Sequence, residues 1–270
     1  MSVSKFKLSL LNCLTNPRGV AIIGASDNPN KPTSRPFRYL KQNGFTAPVY
    51  AVNPTRETIF DDKAYKSIKE ITGPVDHVYI MLNSDAALDA LEECGENGIP
   101  FATILADGFA EAGITGEIRQ KRLIEIIART GIRVLGPNSM GVTNLTNNFI
   151  CTTNASFMVP PQPSSGRFAV LSQSGSLIGG LLSRGEALGL NFSALIAMGN
   201  ETDLDLGQVG VAMLDHPETD AFILFLETIH NVENFCKFAA AAKGLGKPII
   251  VYKLGKSLVG QQLAVSHTGA

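Results

Sequence analysis

Short apolar runs alternate with helix-length amphipathic segments along nearly all of the 270 residues. That alternation is the signature of parallel sheets covered by helices. The first run, residues 19–24, reads Gly-Val-Ala-Ile-Ile-Gly. A helix is expected over 34–43, then a strand over 48–52 that Asn53-Pro54 stops, since proline has no N–H to give the ladder. A third strand is expected over 75–82. Ser84 follows as the expected N-cap, with Ala86, Ala87, Leu88, Leu91 and Cys94 at helical spacing after it. Strand 101–105, helix 117–130 closed by Gly131, and strand 132–135 complete a doubly wound domain, residues 1–145.

The stretch 144–166 breaks the pattern with four Asn and three Pro. It reads as a domain boundary with an irregular hairpin. The alternation then resumes in a second domain, residues 146–270. Strands are expected over 167–171, 192–198, 221–227 and 248–253, and helices over 177–188, 206–214 and 232–243. The expected fold class is therefore α/β throughout: a Rossmann-like domain followed by a second doubly wound domain. The polar, glycine-rich ending after Leu254 has no closing helix. It reads as the edge of a fragment, with a separate subunit as the alternative.

Charge narrows the function classes. Lys and Arg number 23 against 24 Asp and Glu, a net charge of -1. A nucleic-acid surface would show a basic excess. Cys13, Cys94, Cys151 and Cys236 lie far apart with no CxxC pair, so neither a metal site nor a redox dithiol is expected. Free thiols fit a reducing cytoplasm. Residues 8–14 bear a slight likeness to a signal peptide but are interrupted by Asn12, and they read as a first helix. No apolar run reaches the ~18 residues of a membrane span.

Four motifs could carry chemistry. Gly24-Ala25-Ser26-Asp27 follows the first strand, where open parallel sheets bind ligands. It lacks the GxGxxG spacing, so it is either a phosphate-approach loop or a plain turn. Gly136-Pro137-Asn138 lies after the fifth strand, and Asn138 can either offer its amide to a ligand or bind its own backbone. Ser172-Gln-Ser-Gly-Ser176 precedes an apolar helix, which makes Ser174, Gly175 and Ser176 an anion site or an ordinary N-cap. It is not the Gly-x-Ser-x-Gly of an esterase elbow. Ser266-His267-Thr268-Gly269 sets an imidazole among small polar residues, able to attack phosphorus or carbonyl carbon, or incidental. Glu227 ends a strongly apolar strand and could hold one imidazole tautomer or bond nearby backbone. His77 falls within a strand. His216 and His230 read as solvated or capping residues.

In this order, the motifs resemble those of the nucleoside-diphosphate-forming acyl-CoA synthetase superfamily, related to the succinyl-CoA synthetase alpha subunit. The likeness rests on Asn16-Pro-Arg-Gly-Val-Ala-Ile-Ile-Gly-Ala-Ser26, Val52-Asn-Pro54, Gly136-Pro-Asn138, Leu171-Ser-Gln-Ser-Gly175, Gly199-Asn200 and Ser266-His-Thr-Gly269. The resemblance implies a CoA-binding domain and a flavodoxin-like domain. It gives Gly24, Ala25 and Ser26 the CoA phosphates, and gives Asn53, Pro54, Ala106, Asp107 and Gly108 the rest of the CoA groove. Asn138 would sit near the thioester. Ser174, Gly175 and Ser176 would bind phosphate, His267 would carry the phosphoryl group, and Glu227 would hold it.

The implied reaction converts acid, CoA and ATP to acyl-CoA, ADP and phosphate, reversibly, through acyl phosphate and phosphohistidine. It needs an ATP-grasp domain or subunit, with Mg²⁺, for which no segment is found here. An organic acid substrate, a homo- or hetero-oligomer and a cytoplasmic location complete the expectation, with no nucleic acid, membrane or metal. Three rivals remain: a non-catalytic CoA-binding regulatory module, the synthetase-like part of a protein acetyltransferase, and a nicotinamide-dependent oxidoreductase.

Overall fold

A computed structural model describes residues 9–162 and 165–254. The His267 motif lies outside the described residues.

Helix α1 (Leu10–Thr15) opens the described chain, capped by the Ser9 side chain on the Asn12 N–H. The first sheet then builds from β1 (Val20–Ile23), helix α2 (Arg35–Gln42), β2 (Val49–Val52), β3 (Thr58–Ile59), β4 (Asp62–Tyr65), β5 (His77–Ile80), helix α3 (Ser84–Glu96), β6 (Phe101–Ile104), helix α4 (Gly113–Thr130) and β7 (Arg133–Leu135). Its order is β3-β4-β2-β1-β5-β6-β7, parallel except for the short β3 edge. Strands β1, β5 and β6 are buried along their whole length, which is why they read as unbroken apolar runs.

The chain then forms a hairpin, β8 (Gly141–Asn144) and β9 (Phe149–Thr152), followed by β10 (Phe168–Ser172), helix α5 (Gly175–Ala187), β11 (Phe192–Ala197), helix α6 (Leu206–Met213), β12 (Ala221–Leu226), helix α7 (Val232–Gly244) and β13 (Ile249–Lys253). The second sheet runs β13-β12-β10-β11-β8-β9. β8 adds antiparallel to β11, so this sheet is mixed and takes its first strand from residue 141.

Several local expectations are corrected. The N-cap of α3 is Asn83, whose side chain accepts from the Ala86 N–H; Ser84 instead donates its hydroxyl to the Asp107 carbonyl. Helix α4 begins four residues earlier than expected, at Gly113. Two glycines in its first turn hide it in the sequence, and one of them, Gly116, lies tight against the Phe109 backbone. Helix α5 likewise starts at Gly175 rather than 177. His216 is 3% exposed, not solvated, and its Nδ1 meets the Thr219 hydroxyl. His230 is exposed.

The two sheets share a core. One apolar cluster joins Leu14, Phe37, Tyr79 and Phe101 from the first half to Phe149, Leu204 and Met213 from the second. Polar bonds cross the same junction: Arg35 donates to the Thr153 carbonyl at 2.7 Å, and Arg133 pairs with Asp203 at 2.9 Å. Cys13, Cys94 and Cys151 are buried, and burial raises all three thiols, the first two to about 12. They are packing residues. Among the described residues, no helix is long and apolar enough to cross a membrane, and no group of three His, Cys, Asp or Glu could hold a metal.

Candidate active site

Each sheet has one point where the chain reverses the direction in which it adds strands. In the first sheet it lies between β1 and β5, and in the second between β10 and β12. The carboxyl ends of the strands diverge there and leave a crevice.

The first crevice holds the Gly24 loop. Gly24 has φ 84°, and a Cβ there would come 2.8 Å from the Met81 carbonyl oxygen, so only glycine fits the turn. Its N–H donates to Val52, and Asn53 Nδ2 donates to the Ala25 carbonyl at 2.9 Å. The tips of β1 and β2 are thus tied together, bringing Gly24, Ala25, Ser26 and Asn53 to one edge. A cavity of about 580 Å³ opens beside them, a volume suited to a nucleotide-sized ligand. Ile23, Val52, Ile68 and Leu82 supply apolar wall, Lys66 and Lys69 positive charge, and Pro54 part of the rim. Several carboxylates of α3 also line it, but they are held in ion pairs: Asp89 and Glu92 to Arg122, Glu93 to Lys69 and Glu96 to Arg129.

The next strand end carries Ala106, Asp107 and Gly108. Glu111 organises this loop: its Oε1 accepts the N–H groups of Gly108 and Phe109 at 2.7 and 3.2 Å. Its Oε2 reaches across the junction to accept from Asn200 Nδ2 at 2.6 Å. Asn138, at φ 58° after the cis Gly136-Pro137 bond, donates its N–H to Ala106 and its side-chain amide to Asn200 Oδ1 at 3.3 Å. Gly199 permits this meeting, because a Cβ there would overlap the Pro137 carbonyl oxygen. Asn138 and the 106–108 loop therefore converge with the Gly199-Asn200 loop of the second sheet.

The second crevice holds Ser174 and Glu227, both buried, at the ends of adjacent strands. Ser174 precedes α5 without capping it through its side chain. The first-turn N–H groups of α5 remain donors at the positive end of a 13-residue helix, a ready anion site. The Ser174 and Ser176 hydroxyls lie 3.3 Å apart there, with Gly175 between them. Gln173 links this helix start to Glu227: its Oε1 accepts the N–H groups of Glu227 and Thr228 at 2.6 and 3.0 Å. Glu201, at φ 54°, accepts from Gln173 Nε2 at 2.6 Å and from the Leu206 N–H at 2.9 Å. Burial raises its carboxyl to about 7, against the lowering effect of those two bonds.

Sequence reasoning did not single out Gln173, Glu201 or Glu111. Gln173 sat unremarked inside the quoted Ser-Gln-Ser-Gly motif. Glu201 follows Gly199-Asn200 directly, and an acidic residue beside a glycine turn was the available signal. Glu111 offered no more than its place three residues beyond Gly108.

The molecule thus combines two α/β units on a shared core, each with a ligand-type crevice, and the Gly199-Asn200 loop of the second meets the site residues of the first. A CoA-binding domain model matches residues 18–144, and a succinyl-CoA ligase-like flavodoxin domain model matches residues 165–270. The chain thus carries a CoA-binding domain followed by a succinyl-CoA ligase-like flavodoxin domain, the same order as in the motifs read from the sequence.

Relatives are consistent with this. The alpha subunit of acetate–CoA ligase [ADP-forming] II from Pyrococcus furiosus is 37% identical, with 97% of this chain aligned to 55% of that protein. The 4-hydroxybutyrate–CoA ligase [ADP-forming] of Nitrosopumilus maritimus is 33% identical over 95% of this chain and 36% of its own length. The solved structure of the dinucleotide-forming acetyl-coenzyme A synthetase 1 of Ca. Korarchaeum cryptofilum, in complex with phosphate and ADP, superposes with a TM-score of 0.87 at 33% identity. It aligns with 96% of this chain and 55% of that one. The chain therefore spans about a third to a little over half the length of these proteins.

Proposed function

We propose that this chain supplies the CoA-binding and phosphoryl-relay parts of an ADP-forming acyl-CoA synthetase. The observation that carries the reading is the meeting of the two crevices. Asn138 of the CoA-type crevice touches Asn200, Glu111 ties the 106–108 loop to the same Asn200, and the next residue, Glu201, reaches the anion-type crevice through Gln173. A thioester held in the first crevice and a phosphate held in the second would then lie to either side of one loop.

In this reading the Gly24-Ala25-Ser26 turn receives the CoA phosphates. The cavity beside Asn53 and Pro54 takes the adenosine end, and the 106–108 loop carries the pantetheine toward Asn138. Phosphate sits on the α5 N-terminus with the hydroxyls of Ser174 and Ser176. Phosphate oxygen attacks the thioester carbonyl, the thiolate of CoA leaves, and acyl phosphate forms. His267 then attacks phosphorus, the acid leaves as carboxylate, and Glu227 holds the imidazole by accepting its other N–H. Phosphohistidine finally passes the phosphoryl group to ADP. Such transfers depend on positioning and on neutralising charge, which a helix N-terminus provides. His267 enters from its sequence motif alone.

ADP and ATP, with Mg²⁺, would bind an ATP-grasp part outside this sequence, fused or on a partner subunit. The names of the relatives support an organic acid as substrate, and the free thiols fit a cytoplasmic location. The test is thioester formation in the full-length protein or reconstituted complex, with ATP, CoA and a panel of acetate, hydroxy acids and aryl acids. Thioester from at least one acid, abolished in His267→Ala, supports the proposal. CoA binding with no thioester from any acid would leave a CoA-sensing module.

A further inference from the structure

The carboxamide of Gln173 is saturated. Its two N–H groups donate to Glu201 Oε1 at 2.6 Å and to the Thr228 carbonyl at 2.9 Å. Its oxygen accepts the N–H groups of Glu227 and Thr228. A Gln side chain has two donors and two acceptor sites, so none is left over. The residue is 5% exposed, and its own N–H continues the sheet by donating to Phe225. Its neighbours on either side are the end of β10 and the cap of α5. One buried amide therefore spans the gap between the strand that ends at Glu227 and the helix start that carries Ser174.

Glu201 fixes which way that amide faces. It is a non-glycine residue in the left-handed region, a conformation that costs energy and that surrounding contacts must hold in place. Its carboxyl is pinned between Gln173 and the start of α6. Were the amide turned round, its oxygen would face the Glu201 carboxyl and the Thr228 carbonyl, and its N–H groups would face two backbone donors.

We propose that Gln173, oriented by Glu201, is a positioning residue that sets Glu227 against the phosphate-binding start of α5. This rests on the synthetase reading and adds to it the strut that aligns the imidazole-holding carboxylate with the phosphate. The residue acts through Glu227 and need not touch a reactant.

The test is the single-turnover rate of His267 phosphorylation by labelled ATP in the full-length protein or complex, with the final extent of labelling and CoA affinity measured alongside. Gln173→Glu and Glu201→Gln each destroy the donor–acceptor match, while the double variant exchanges donor and acceptor and restores the 173–201 bond, leaving the Thr228 carbonyl without its donor. Each single variant is expected to slow labelling about ten-fold or more, equivalent to ~1.4 kcal/mol, at unchanged extent and CoA affinity. The double variant should be several-fold faster than Gln173→Glu alone. A merely structural role would lower the extent of labelling and leave the rate of the surviving sites alone. If Gln173→Glu loses both CoA binding and labelling, Glu201→Gln reads the same alignment, because it leaves three Gln173 bonds intact. Single variants that label at the wild-type rate, or a double variant no faster than the slower single one, would overturn the proposal. A wild-type protein that never labels would bring down the synthetase reading itself.

Discussion

His77 enters the core with both ring nitrogens occupied. Nδ1 lies 2.9 Å from the Cys13 carbonyl, which can only accept, so Nδ1 carries the proton and Nε2 accepts from the Thr103 hydroxyl. Burial holds its pKa near 3, far below the ordinary value. The unfolded chain takes up a proton near pH 6.5 that the folded chain refuses, so stability is full above that pH and falls as pH drops toward 3. At pH 5.5 the loss is about 1.4 kcal/mol relative to neutral pH. Urea unfolding of the wild type and His77→Gln at pH 7.5 and 5.5 checks this: the variant should lack that part of the pH dependence, and parallel curves would contradict it. Gly24 makes a second claim at this scale. Gly24→Val must accept both a positive φ and the Met81 carbonyl, so CoA affinity should fall about ten-fold or more in a protein that still folds. Calorimetric titration with CoA reads it, and unchanged affinity would remove the phosphates from this turn. The glycine itself was legible in the sequence. Glu111, Glu201 and Gln173 were not, because each acts on a loop distant in the chain, and nothing in local spacing records that.

Among elements, the strands and helices of both units were legible because buried parallel strands have no polar face to interrupt them. The exceptions are small or glycine-rich. Strands β3 and β4 are joined by Phe60 and Asp61, both at positive φ, and nothing in Phe-Asp announces the turn that Asn-Gly would. The β8–β9 hairpin was read as part of a boundary, yet it pairs with β11 and so belongs to the second sheet. The turn before α4 matters most for function, since Glu111 there ties the 106–108 loop to Asn200. Glu111→Gln keeps an oxygen for Gly108 and Phe109 but turns an amide toward the amide of Asn200. Losing a charge-assisted bond costs about 1.5–3 kcal/mol. Steady-state kinetics should therefore show kcat reduced on the order of ten-fold with CoA affinity nearly unchanged; an unaltered kcat would mean that the contact only ornaments the junction.

At the scale of the whole molecule, the two units share one core and are cross-linked by polar bonds, so the two crevices keep a fixed relation. That relation could not be read along the chain: the sequence shows two similar domains, and only the fold shows that Asn138 and Asn200 meet. The family's motifs made the order of parts legible, and the structure adds the loop through which they touch. The central claim is that His267 carries phosphate between acyl phosphate and nucleotide. The most direct measurement is incubation of the full-length protein or complex with labelled ATP and Mg²⁺, followed by acid and alkali treatment of the protein. An acid-labile, alkali-stable label, absent from His267→Ala and discharged by CoA with a substrate acid, is the predicted result. A folded, CoA-binding protein that takes up no label would contradict it.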